Sequence, residues 1–128
     1  MSLHDLEAER LYVFHGSGFK VESFVPTQTI YASPFADYAI FMALVNEVNC
    51  PKGYQSSVHR EGTSLLFHAT AETLAQLSDK SMGYIYVFKK ADFTQKDEIE
   101  LESALGPTPK CVIEISRQDF LPSIQIKS

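Results

Sequence analysis

Phe14-His15-Gly16-Ser17-Gly18 and Ile30-Tyr31-Ala32-Ser33-Pro34-Phe35-Ala36-Asp37-Tyr38 are the two stretches on which the reading of this chain turns. The first closes the apolar run Leu11-Tyr12-Val13-Phe14, whose aromatic and β-branched residues predict a strand buried on both faces. His15 stands at the end of that strand, and Gly16 and Gly18 permit a turn and the close approach of another group. The second stretch ends a strand over 27–32 in a tyrosine and passes at once into a helix. Two strand ends bearing polar rings suggest the two lips of a cleft.

Ser33 suits a helix N-cap, Pro34 the first helical position, and Asp37 the positive end of the helix dipole. The helix is expected from Pro34 to about Val48, with Tyr38, Phe41, Met42, Val45 and Val48 along one face. Pro51 and Gly53 stop it. Downstream, residues 54–62 show no period and read as a loop. Ser64–His68 is a short strand, and Thr70 caps a second helix through Leu77. Gly83–Phe88 is the clearest strand, followed by a charged loop from Lys89 to Asp97.

Glu98-Ile99-Glu100-Leu101-Glu102 alternates strictly, so as a strand it would carry three carboxylates on one face. After the turn Gly106-Pro107-Thr108-Pro109 comes a strand over Cys111–Ile115, then one helical turn over Ser116–Phe120. Strands outnumber helices, so the class is α+β, with residues 1–128 as a single domain.

Bulk properties narrow the function. A net charge of −5 argues against a nucleic-acid-coating surface, which would be basic, but leaves room for a small anionic ligand. No apolar run approaches the roughly 20 residues of a membrane span, so no membrane partner is expected. The opening residues lack the basic-then-apolar pattern of a signal peptide. Cys50 and Cys111 sit in no paired motif and read as reduced thiols, which points to the cytoplasm. His59 and His68 have no metal-ligand spacing, so no metal is assigned.

His15-Gly16-Ser17, then Ile30-Tyr31-Ala32, then Tyr38 inside the following helix resemble the active-site pattern of ADP-ribosyltransferases. The closest branch is the His-Tyr-Glu one, with the poly(ADP-ribose) polymerases and diphtheria-type toxins. The segments around Gly83–Val87, Glu100–Ser103 and Val112–Ile115 are similar to small bacterial members of that superfamily, so the resemblance covers about residues 11–120. It implies a split β-sandwich of two small antiparallel sheets with flanking helices. It also implies NAD as substrate, with ADP-ribose transferred to a protein or nucleic-acid acceptor or to water. By resemblance His15 bonds a ribose, Gly16 clamps the nicotinamide amide with Ser17 beside it, and Tyr31 and Tyr38 flank the nicotinamide ring. The catalytic carboxylate is Glu100 by spacing from Pro109, or Glu102 by the Glu-x-Glu pattern of many transferases.

Blander readings compete. Tyr38 has the spacing of a core residue, and the Glu98–Glu102 face fits a solvated strand. The same fold can serve as a non-catalytic nucleotide- or protein-binding module. It can also support RNA 2′-phosphotransfer, which would want several cations around the cleft.

Overall fold

A computed structural model describes residues 2–26 and 28–119, and the backbone of 126–127. In chain order the elements are α1 (Leu3–Ala8), β1 (Tyr12–Ser17), β2 (Ile30–Ala32), α2 (Ala36–Leu44), β3 (Ser56–Glu61) and β4 (Ser64–Ala69). There follow α3 (Ala71–Ala75), β5 (Met82–Lys89), β6 (Thr94–Gln95), β7 (Leu101–Ser103), β8 (Cys111–Ser116) and β9 (Ile126–Lys127). A short 3₁₀ turn spans Lys90–Asp92, inside what the sequence presented as a charged loop. Residues 117–119 are helical. Thr27 and Phe120, at the edges of two expected elements, lie outside the described residues.

The described strands form three three-stranded sheets, ordered β1-β5-β8, β2-β7-β6 and β3-β4-β9. All pairings are antiparallel except β4 with β9. The architecture is thus mixed α and β, built mainly from small antiparallel sheets. The third sheet goes beyond the two expected. Its first strand falls in the stretch read as a loop, because the burial of β3 shows almost no alternation and five of its six residues are exposed.

Alternation along β1 sorts the core into two halves. Phe14 joins Ile40, Phe41, Leu44, Ile85 and Val87 in the cluster built around α2. Val13 points the other way, to Ile30, Ala32, Tyr86, Phe88 and Leu101, which glue the first sheet to the second. Burying one such side chain contributes about 1.5–3 kcal/mol.

Helix α2 is shorter than expected at both ends. Ser33 does not cap it: its Oγ accepts from the Phe35 N–H at 3.1 Å, and the helix begins at Ala36 with Phe35 as N-cap. Asp37 accepts a 2.8 Å bond from His4 Nε2 when that nitrogen carries the proton. At the other end the Asn46 amide donates to the Met42 and Ala43 carbonyls at 3.0 and 2.7 Å. Asn49 donates to Leu44 and Met82 carbonyls at 3.1 and 2.9 Å, so asparagine amides close the helix well before Pro51.

The buried face also differs from the large-residue stripe. Met42 is 40% and Val48 49% exposed, whereas Ala36, Ala39 and Ala43 are buried. The small residues face inward because α2 lies directly on β1 and β5. A Cβ added at Gly16 would overlap the Ala39 carbonyl oxygen, and one at Gly83 would overlap Ala43. The glycine that the sequence suggested would admit a ligand therefore admits a helix. Gly18 likewise lies against the Asn46 side chain.

Candidate functional site

Strands β1 and β2 begin to pair and then part. Phe14 N–H donates to the Ser33 carbonyl at 2.8 Å, and Ser33 N–H donates back to Phe14 at 2.9 Å. In an antiparallel pair alternate residues use the same edge, so Gly16, two residues on, presents its N–H and C=O to this edge too. Tyr31 presents its own carbonyl from the other side. The ladder does not continue. Instead the His15 ring reaches across, and its Nδ1 donates to the Tyr31 carbonyl at 2.6 Å. His15 therefore lies inside β1 rather than at its end.

That bond fixes the ring. A carbonyl can only accept, so Nδ1 carries the proton and the neutral imidazole leaves Nε2 as an acceptor. Burial lowers the His15 pKa below its ordinary value, against the smaller opposing effects of the Tyr31 carbonyl and the Glu100 charge. Phe24, from the β1–β2 connection, meets the ring edge-on with centroids 5.7 Å apart. Tyr86 stands behind at 6.1 Å, and its hydroxyl bonds the Val21 backbone, holding that connection over the histidine. Ser17 is spent locally: its hydroxyl donates to the Phe19 carbonyl at 2.7 Å and accepts from the Phe19 N–H at 3.3 Å.

The acidic segment arrives differently from the strand its alternation predicts. The Asp97 carboxylate accepts from the Ile99 and Glu100 N–H groups at 2.9 and 2.8 Å. This side-chain-to-backbone capture bends the chain, so β7 starts only at Leu101. Glu98 is thrown out of line and exposed, and its carbonyl accepts from Arg60 at 2.7 Å. Glu100 immediately precedes β7, with its side chain about one-fifth exposed (20%). Glu102 lies opposite Tyr31 in the β2–β7 ladder and lines a separate depression with Thr94 and Ser103.

Glu100 is the carboxylate that the fold joins to the rings. Its charge reaches His15 and Tyr38. Burial, then the Glu100 charge, pushes the Tyr38 hydroxyl far above its ordinary value, so this phenol stays protonated beside Glu100. Lys96 completes the group. Its ammonium is 3.4 Å from Glu100 Oε1 and 4.5 Å above the centroid of the Tyr31 ring. The Glu100 charge holds the Lys96 pKa above its usual value.

Of the residues singled out from the sequence, His15, Gly16, Tyr31, Tyr38 and Glu100 thus gather at one corner. Ser17 and Glu102 flank it and make their bonds elsewhere, to Phe19 and Thr94. Tyr38 is half-buried and faces the corner instead of disappearing into the core. Lys96, Asp97 and Phe24 were not singled out. Lys96 and Asp97 lay in an unpatterned charged loop, and Phe24 in a connection with no period; for Asp97, the Asp-x-x-Glu spacing to Glu100 was the available signal.

A groove of about 530 Å³ opens beside the corner. Its walls are Tyr38, Phe41 and Met42 of α2, strand β3 from Ser56 to Arg60, and the turn 97–100. Tyr38 and Glu100 line it, whereas His15 and Tyr31 do not. Both cysteines are free, and burial raises the pKa of Cys50. No helix among the described residues is long and apolar enough to cross a membrane. No family model, curated protein or solved structure matches this chain.

Proposed function

We propose that the chain is an ADP-ribosyltransferase-like protein of the split β-sandwich type that cleaves NAD at the nicotinamide–ribose bond. ADP-ribose passes to an acceptor or to water. The observation that supports this most is the convergence of His15, Tyr31, Tyr38 and Glu100, distant in sequence, around the point where β1 and β2 part.

Each group has work that suits the chemistry. His15 Nε2 accepts from a ribose hydroxyl. The Gly16 N–H and C=O, one donor and one acceptor side by side, complement a carboxamide, which offers the reverse pair. Tyr31 and Tyr38 offer ring faces for a flat heterocycle. As the glycosidic C–N bond breaks, its electron pair leaves with nicotinamide and positive charge develops on the sugar. Glu100 stabilises that charge. An acceptor nucleophile or water then attacks the sugar carbon and loses its proton. Glu100 is preferred to Glu102 for this role because its charge acts on both His15 and Tyr38.

Titration calorimetry with NAD and nicotinamide, and an assay for released nicotinamide, test the reading. Glu100→Gln should lower turnover by about 10² or more with NAD binding nearly intact, and Glu102→Gln should do less. An absence of heat and of thermal shift at about millimolar ligand would sink the proposal.

One observation favours the non-catalytic module instead. Lys96 neutralises Glu100 and covers the Tyr31 face that a heterocycle would use. Under that reading Glu100→Gln leaves nucleotide binding untouched and no nicotinamide is released by any variant, while His15→Ala still weakens binding. RNA 2′-phosphotransfer draws less support, since among the described residues Lys96 is the cation in contact with the corner.

A further inference from the structure

Strand β3 is the outer strand of its sheet, with β4 on one side and the groove on the other. The direction of its backbone groups follows from one bond. Thr70 N–H donates to the Gln55 carbonyl at 3.2 Å, so residue 55 faces β4. Alternation then turns Ser57, His59 and Glu61 toward β4, and Ser56, Val58 and Arg60 outward. Among the described residues, the outward N–H and C=O groups of those three have no backbone partner. They lie along the groove, whose floor includes Phe41 and Met42 and whose far wall carries Asp97, Glu98 and Glu100.

We propose that this groove is the docking site for an extended, basic segment of a partner polypeptide, which adds as a strand to the outer edge of β3. An exposed edge strand is a ready template for such pairing. The walls choose the occupant. Arg60 reaches across to the Glu98 carbonyl at 2.7 Å, so that end of the gap is spanned by one side chain. The two walls are thus within one arginine side chain's reach at that end. Three carboxylates line the far wall; Glu100 is paired with Lys96, which leaves Asp97 and Glu98 to face an incoming cation. The one Lys or Arg among the lining residues, Arg60, already donates to the Gly62 and Glu98 carbonyls. Arginine or lysine side chains on the incoming strand balance that wall. The added strand also runs past Glu100, so on the transferase reading, on which this last step rests, the bound segment is the acceptor.

The test needs no NAD. The probe is a fluorescein-labelled ten-residue peptide of alternating valine and arginine, beside a version with glutamate for arginine. Anisotropy should show binding of the basic peptide alone. Amide exchange followed by NMR should then slow at Ser56, Val58 and Arg60 and stay unchanged at Ser57 and His59. Val58→Pro removes one outward N–H and none that faces β4, so it should weaken binding about tenfold or more while Ser57 and His59 stay protected. Equal binding of the glutamate peptide, or binding without the alternating protection, overturns the proposal. Protection that rises with protein concentration alone overturns it in favour of self-pairing. A nicotinamide-release assay without peptide reads the transferase separately, so either idea can fail by itself.

Discussion

The two sides of β1 solve their packing in opposite ways. Toward α2 the strand offers Gly16, whose missing side chain lets the helix backbone settle directly on the sheet, as Gly83 does on β5. Toward β2 it gives up the backbone ladder after Phe14, and the His15 ring supplies the next bond to Tyr31. On the first side, smallness is the requirement and the chemistry of the residue hardly matters. On the second, the bond needs a ring with a donor at one nitrogen, and the other nitrogen remains for something else. Places where a side chain replaces a backbone hydrogen bond are where this chain can acquire chemistry.

The largest expected effect falls on the closely packed side. In Gly83→Ala the new Cβ would come 2.7 Å from the Cβ of Ala43, and overpacking of this sort costs about 1–3 kcal/mol. Thermal or urea melting should show that loss, with nicotinamide affinity unchanged. A neutral Gly83→Ala would mean that α2 is free to shift away from β5, and the contrast would dissolve. Next comes Asp97→Ala. Losing the bonds to the Ile99 and Glu100 amides should cost about 1 kcal/mol and shift both amide resonances, and Asp97→Asn should restore much of it. If those resonances stay put, the turn does not depend on Asp97 and Glu100 is placed by something else.

These two variants also mark what could be read from the sequence. The strands at Tyr12 and Gly83 and the cap at Thr70 were legible because aromatic, β-branched and capping residues act locally. The helix after Ser33 was legible as a helix with Phe41 and Val45 buried, but the part of its buried face made by Ala36 and Ala39 was not. That face is set by the glycines of two distant strands, so alanines are buried where the larger Met42 is left partly exposed. The corner was half legible. Histidine and tyrosine stood out beside their strands, whereas Asp97 bends a segment whose alternation otherwise reads as strand, and Lys96 matters only once the bend brings it to Tyr31. Strand β3 left no hydrophobic pattern because its burial hardly alternates.

A smaller effect concerns pH. The folded-state pKa of His15 lies below the 6.5 it has when exposed, mainly through burial. Between those values the unfolded chain binds the extra proton, so stability rises with pH across that window. His15 therefore contributes fully above 6.5, and its contribution is lost as pH falls through the lowered folded value. His15→Gln has no proton to take up there. Urea melts at a series of pH values should show the slope in the parent exceeding that in the variant. Equal slopes would mean that the ring is hydrated enough to titrate normally, and the picture of a buried wedge between the strands would fail.

The smallest effect on stability, and the most telling for the corner, is expected from Lys96→Ala. Its ammonium is exposed, and an ion pair of that kind contributes little to folding because water and salt screen it. The melting midpoint should not move measurably. Affinity should. The ammonium sits over the Tyr31 ring, and a heterocycle stacking there must displace it and give up the cation–ring attraction. Removing it should raise nicotinamide affinity at low salt, with the gain shrinking as salt already loosens the lysine in the parent. Calorimetry at two salt concentrations reads both. A fall in affinity would instead mean that Lys96 holds the ligand itself, and the side-chain side of β1 would then owe its chemistry to the 94–100 segment as much as to the histidine.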